Sequence, residues 1–434
     1  MHRRPITIDD LYIIKLVADP NIAPDASRVA YVVTTVDRES NGYRSNIWCV
    51  PLTGDRAPYR LTTGCRKDTS PRWSPDGTML AFLSDREGKN QVYVLPADGG
   101  EAWQVTDVPN GASDVSWSAD SRSLVFVSKV DLPEGDKPTS DVRVIRDLIY
   151  KLDGEGFLDG KHRHAFIVDA EGGEPRQLTD GDWDCTQPAL SPDGRQLAFV
   201  SNHRADRRDN TFADVWVQML ATGETRRVTP EDGQYGTPVW TADGRSLVYS
   251  GHPVVAPYGP TTLDDLYLHE LETDEPRSLL GALDREPGNS VIADMRYGMP
   301  AQGPVVSADG SSVLTLISDR GSVTIAAAST IAAPTTVVSG ARDIQSFTVA
   351  SDGTVAFVAS DMQLPPEVYV GRGDGVEERI TRTNDEFLSG IELGAVEEVT
   401  FESDPGVEVH GWLLRPPNFN TSAKYPAIVE IHGG

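Results

Sequence analysis

The sequence predicts an all-β fold, a seven-bladed β-propeller with the opening strands of a second domain behind it. Three observations predict it. A turn phrase recurs seven times, a second phrase follows most copies, and both patterns stop over the last 38 residues.

The first phrase is a short strand, then Ser-Pro-Asp-Gly or a variant, then a small apolar strand. It reads NIAPDASRVAYVV around Asp25, PRWSPDGTMLAFLS around Asp76 and VSWSADSRSLVFVS around Asp120. It returns as PALSPDGRQLAFVS around Asp193, PVWTADGRSLVYSG around Asp243, PVVSADGSSVLTLIS around Asp309 and FTVASDGTVAFVAS around Asp352. Pro presets φ for a type I turn, Asp bonds back to the backbone, and Gly takes the left-handed position that follows. The flanks alternate or run apolar, as half-buried and buried strands do. Each copy is therefore a β-hairpin.

The second phrase is a strand, a Gly-rich turn and a strand ending in an apolar residue and Thr. Its copies are VPLTGDRAPYRLT, LPADGGEAWQVT, VDAEGGEPRQLT, MLATGETRRVT and YVGRGDGVEERIT, with LHELETDEPRSLL a weaker sixth. Two hairpins per repeat make four antiparallel strands, and such sheets repeated radially make a propeller. Successive aspartates are 51, 44, 73, 50, 66 and 43 residues apart, so the third and fifth intervals hold insertions. One is 130–163, with a short helix expected over 142–152. The other comprises 252–265 and 283–303. A helix is also expected over 6–20, with Leu11, Ile14 and Val17 as its apolar stripe. A helix outside a propeller needs something to pack on, so three domains are expected: an N-terminal helical segment (1–20), the propeller (21–396) and the start of a further domain (397–434).

Composition narrows the function. Apolar residues make up 39% and charged residues 24%, which is globular rather than disordered, and 39 Gly with 30 Pro suit many short strands. A net charge of −26 repels polyanions, so neither nucleic acid nor an anionic membrane is expected as partner. Cys49, Cys65 and Cys185 lack metal or disulfide spacing and are expected to be buried, reduced thiols. The N-terminus has no apolar run of signal-peptide length, and no stretch of about 18 apolar residues occurs, so a cytoplasmic protein is expected. His162, His164 and Asp159 invite a metal reading, but a surface loop entering a strand accounts for them, and no metal or cofactor is expected. His410 alternates toward solvent on its strand.

The last residues read EEVTFESDPGVEVHGWLLRPPNFNTSAKYPAIVEIHGG. Strands are expected over 398–403 and 407–416, joined by a DPG turn, and over 427–432, whose apolar run marks a strand buried on both faces. With the seven-fold repeat, the sequences GWLLRPPNF, KYP and IVEIHGG resemble the prolyl oligopeptidase family of serine peptidases, in its acylaminoacyl-peptidase-like branch. The resemblance implies that 397–434 open an incomplete α/β-hydrolase domain. It implies that Gly433 and Gly434 belong to the oxyanion-hole loop, with the Gly434 N–H the favoured donor, and that His432 shapes that loop. It also implies a peptide substrate, acyl-enzyme chemistry and no cofactor.

The family's nucleophile sits in a G-x-S-x-G elbow, which occurs nowhere in the 434 residues. No catalytic residue is therefore assigned in this chain. Ser, Asp and His are expected beyond Gly434, and the chain alone is expected to be inactive. Three hydrolase strands without crossover helices cannot bury their faces, so residues from about 398 onward are expected to be poorly packed. The alternative is a non-catalytic propeller that binds a partner. It explains 20–395 equally well but gives no reason for the hydrolase-like end. Whether the chain forms a homo-oligomer is left open.

Overall fold

The computed structural model describes residues 3–54, 57–131, 140–254, 262–281, 283–293, 295–298, 302–329, 332–372 and 375–431. The chain divides into two compact units, Lys15–Arg382 and a smaller one made of Met1–Ile14 with Thr383–Gly434.

The larger unit is a seven-bladed propeller. Blade 1 is the antiparallel sheet Leu16–Ile22, Arg28–Asp37, Gly42–Pro51 and Tyr59–Arg60. Blade 2 runs from Asp68–Trp73 to Trp103–Gln104, blade 3 from Ser113–Trp117 to Arg176–Gln177, and blade 4 from Thr186–Leu190 to Thr225–Arg227. Blade 5 runs from Gly233–Trp240 to Glu275–Ser278, and blade 7 from Asp343–Val349 to Glu377–Arg379. In blade 6 the insertion splits the first strand, so Glu286–Pro287 and Val305–Val306 both pair with Val313–Asp319.

The repeated phrases have separate jobs. In five blades a hydroxyl two residues before the turn aspartate bonds its carboxylate at 2.6 Å: Ser74, Ser118, Ser191, Thr241 and Ser307. The same carboxylates accept the backbone N–H two residues later. Asp25 and Asp352 accept the matching N–H without that hydroxyl. The apolar-Thr ending of the second phrase ties the outer strand to the third. Thr62, Thr106, Thr179, Thr229 and Thr381 accept the N–H of Ile47, Val92, Ala165, Val215 and Val368 at 2.8–3.0 Å. Tryptophans stitch neighbouring blades. The indole N–H of Trp73, Trp117 and Trp240 donates to the backbone carbonyls of Asn21, Arg72 and Ala189 in the preceding blade. Second strands such as LAFLS and LAFVS are buried throughout, which explains their unbroken apolar runs.

These turns make the fold acid-sensitive. Hydrogen bonds to the hydroxyl or N–H groups hold all seven turn aspartates below the usual carboxylate range, Asp309 to about 2. A depressed folded pKa gives stability that is present above the unfolded value, about 4, and lost as pH falls through the folded one. Melting temperature should therefore fall between about pH 4 and pH 2. Replacing Asp76 and Asp193 by Asn keeps an acceptor that does not titrate, so the fall should be shallower. An unchanged acid profile in that double variant would exclude the turns as its source.

The ring closes without a shared strand, since the first and last blades are each built from contiguous sequence. Val17, Tyr31, Val33 and Val50 of blade 1 pack with Ala356, Val358, Val368 and Val370 of blade 7. The Ile22 N–H donates to Thr348 Oγ1 at 2.9 Å, and the Ser351 N–H to the Pro24 carbonyl at 3.1 Å.

Four local expectations are corrected. The helix expected over 6–20 is a single 3-10 turn, Ile8–Tyr12, followed by the blade strand Leu16–Ile22. Asp10 caps the start of this short helix, accepting the Thr7 N–H and pairing with Arg4, and the chain leaves the helix at Ile13. Val17 and Ile22 enter the seam while Leu11 faces solvent, so the predicted stripe does not form. The propeller thus takes in residues 16–20, which had been assigned to the N-terminal segment. The helix expected over 142–152 is absent. Lys151–Leu152 pairs with Gly156–Phe157, and Arg143 and Asp147 are drawn to Asp159 and Arg208. Cys49 and Cys185 are buried, but Cys65 is exposed.

In the smaller unit Arg4–Pro5 pairs in parallel with Ile391–Glu392. Val396–Asp404 and Val407–Leu414 form the expected hairpin, turning at Gly406 with φ 81°. Residues 427–431 form no strand, the fourth correction. Their apolar run has no strand beside it to bond, and Ile428 is 96% exposed. Phe401, Leu413 and Leu414 of the hairpin are also exposed.

Candidate functional site

The antiparallel strand order puts the functional loops of the propeller on one face. First strands begin there, second strands end there, and fourth strands leave from it. The insertion of blade 3 and the connections 254–264 and 279–304 therefore share that face. The chain also enters the propeller at Lys15 and leaves it at Arg382 on the same side.

A cavity of about 640 Å³ opens there between blades 4, 5 and 6. Gln187, Gln234, Tyr235, Ser250, His252, Asp264 and Glu286 supply its polar wall. His252 Nδ1 lies 2.5 Å from Asp264 Oδ1, which fixes the ring. Burial raises the Glu286 carboxyl above its ordinary range, and the Asp264 carboxylate adds to the rise. Gln187 is tied down through the Thr237 N–H at 2.7 Å, and Gln234 through Thr211 at 2.8 Å. The wall is thus pre-positioned. Sequence reasoning treated His252 only as a strand or loop residue. The one signal for this site was the insertion 252–265, which brings Asp264 to the end of the His252 strand.

This arrangement can bind and exchange protons, but acyl transfer needs a nucleophile held by its base. Among the described residues no histidine is bonded to a serine or cysteine. His162 meets Asp182 at 3.0 Å and Asp184 at 3.4 Å, which raise its pKa. His164 meets Thr179, and His269 meets Tyr249 and Asp274. His203 lies between Trp183 and Trp216, where burial lowers its pKa to about 4. Asp159 pairs with Arg143, so the residues of the metal reading are each engaged elsewhere. His410 is not solvent-facing as expected. Its side chain is 14% exposed, bonded to Glu398 at 2.7 Å and set edge-on to Trp412. Burial pushes the Cys185 thiol up to about 12, far from a reactive thiolate.

The three residues that the sequence assigned to the oxyanion loop, His432, Gly433 and Gly434, lie outside the described residues. The hairpin that precedes them is in place. Among the described residues no helix is long and apolar enough to cross a membrane.

Comparison with known proteins places the chain. Residues 14–141 match the family described as "TolB beta propeller domain" (PD40). The whole chain aligns with the "Uncharacterized peptidase YuxL" of Bacillus subtilis at 34% identity, covering 67% of that protein. It is 26% identical to the dipeptidyl-peptidase 5 of Porphyromonas endodontalis, over 95% of this chain and 60% of that one. The fold is like that of a Pyrococcus horikoshii acylaminoacyl peptidase, with a TM-score of 0.73 and 21% identity, covering 96% of this chain and 60% of that one. The chain thus spans 60–67% of the length of these two relatives.

Proposed function

Because the chain belongs to the prolyl oligopeptidase family of peptidases, we propose that it forms the propeller part of a serine peptidase that hydrolyses short or N-acylated peptides through an acyl-enzyme. One observation carries this reading. The match to a relative named as a peptidase runs the full length of the chain, through the hairpin Val396–Asp404 and Val407–Leu414. A propeller that only bound a partner would have no use for that hairpin.

In this proposal a serine beyond Gly434 attacks the scissile carbonyl. A histidine takes its proton and an aspartate orients the histidine. Gly433 and Gly434 belong to the loop that offers backbone N–H groups to the oxyanion. The propeller limits entry to short or unfolded peptides and keeps bulk water from the reacting carbonyl.

The test is labelling with a fluorophosphonate probe that reacts with activated serines. The 434-residue chain should stay unlabelled. The same chain extended by the stretch that its relatives carry beyond the match should label at a single serine. Labelling of the unextended chain would place the nucleophile within these residues and overturn the assignment. An extended protein that folds but never labels would overturn the serine mechanism.

A further inference from the structure

Two departures from the repeat meet at one point. The first is in blade 1, whose second and third strands, Arg28–Asp37 and Gly42–Pro51, are 10 residues each. Those of the other blades run to 5–8 residues. The extra length stands on the face that carries the insertions, because second strands end there and third strands begin there. It adds the pairs Val36–Tyr43 and Asp37–Gly42. Asp37 secures the turn by accepting hydrogen bonds from Ser40 and Arg44, each at 2.6 Å.

The second departure is the insertion between blades 5 and 6. Its first part is anchored on blades 6 and 7. Asn289 Nδ2 donates to Asp343 Oδ1 at 2.5 Å and to the Ile344 carbonyl at 2.9 Å. The Ser290 N–H donates to Ser318 Oγ at 2.9 Å, and Val291 packs on the core shared by those two blades. Arg296 donates to the Val291 carbonyl at 2.7 Å and to Asn289 Oδ1 at 3.3 Å, which ties it to the anchored part. Gln302 accepts the Phe347 N–H at 3.0 Å, pinning the return to blade 7.

Tyr297 reaches past blade 7. Its ring stacks on Tyr43 at the tip of blade 1, with centroids 4.0 Å apart and planes 27° apart. The Lys67 ammonium, at the entry to blade 2, lies 5.8 Å from the same ring, within cation–π range. The Ser45 N–H donates to the Arg66 carbonyl at 3.2 Å and holds that entry beside the long hairpin. A segment fixed to blades 6 and 7 thus ends on blades 1 and 2, across the seam where the ring closes.

We propose that this insertion is a clasp on the open seam, with Tyr297 as its catch and Tyr43 as the post it closes on. The two ends of the clasp are built differently. Hydrogen bonds to two blades hold the anchor, whereas ring contacts hold the catch, and Tyr43 is 41% exposed. The catch can therefore release while the anchor stays, and it sets how often blades 1 and 7 part. This is independent of the peptidase reading, since it needs neither the catalytic serine nor a substrate.

Native-state hydrogen exchange tests it. Tyr297→Ala should speed exchange of the amides in Leu16–Ile22 and Asp343–Val349 about three- to tenfold, the factor that loss of one aromatic pair gives. Amides of blades 3 and 4 should keep their native rates. Tyr43→Ala should act in the same way, and the two changes together should be no faster than Tyr297→Ala alone, because they remove one contact. Tyr297→Phe keeps the ring and should exchange like the native chain. Phe157→Ala removes another exposed ring, from the insertion of blade 3, and should leave the seam unchanged. Unchanged seam rates in Tyr297→Ala would overturn the proposal. So would faster exchange spread equally over blades 3 and 4, which would mark a general loss of stability. Acceleration that adds in the double variant would show that the two rings act separately, and would overturn it too.

Discussion

Replacing Tyr31 by Ala is expected to lower the stability of the propeller by about 3–5 kcal/mol, the usual consequence of emptying a buried aromatic site. Tyr31 is 1% exposed and stands in the seam between blades 1 and 7, against Val358 and Val368. Every other pair of neighbouring blades is joined by the chain itself. Among the described residues this pair is joined by side-chain packing and by the hydrogen bonds at Pro20, Ile22 and Pro24. The variant should therefore do more than unfold at lower denaturant. Its backbone amides in Leu16–Ile22 and Asp343–Val349 should exchange faster than those of blades 3 and 4 under native conditions. Phe126→Ala, which empties a comparable site in the core shared by blades 2 and 3, is the control. It should lose similar stability without that local opening. Equal exchange at the seam in the two variants would show that closure does not depend on Tyr31.

Gly251→Ala is expected to be the other severe change, at about 3 kcal/mol or more. Gly251 pairs with Tyr235 inside blade 5 and has φ 151°, a region L-residues rarely enter. A Cβ there would stand 2.3 Å from the Gln234 carbonyl oxygen and 2.6 Å from Tyr235 Cδ1. The oxygen belongs to the partner strand's backbone and cannot move aside, so the first two strands of the blade must separate. Ser250 and His252 flank this position, and the cavity they line would be distorted with it. Gly194 provides the contrast. Its φ of 69° is also left-handed, but nothing lies within 4 Å of the added carbon. Ala at that position should cost only the backbone strain, about 1 kcal/mol. If thermal melts of the two variants fall by the same amount, the close approach at Gly251 is not what the fold depends on.

Both expectations rest on contacts between segments far apart in sequence, and that is where the sequence was hardest to read. The seven aspartates, the apolar-Thr endings and the small apolar strands were legible because each acts within a few residues. A Pro-Asp-Gly turn bonds its own backbone wherever it occurs. The expected helices over 6–20 and 142–152 failed for the opposite reason. Val17 fits a helical stripe with Leu11 and Ile14 or a buried strand, and the seam decided between them. Arg143 and Asp147 suit a helix face until Asp159 and Arg208 claim them. The expected strand over 427–432 has the composition of a buried strand, but hydrogen bonding needs a neighbour.

The candidate sites divide in the same way. The oxyanion assignment to Gly433 and Gly434 came from a short motif and a family resemblance, and it rests on that still. The His252–Asp264 pair has no motif, because a polar residue at a strand end and an acid after an insertion are unremarkable until the loop brings them to 2.5 Å. By itself the sequence determined the repeat, the number of blades, the turn chemistry and the peptidase family. These depend on local backbone preference and on patterns counted along the chain. Only the tertiary structure decided how the first and last blades meet to close the ring, where the cavity opens and which apolar residues of the insertion are left uncovered. Those outcomes depend on which distant surfaces meet, and burial, unlike a turn, is a property of both partners.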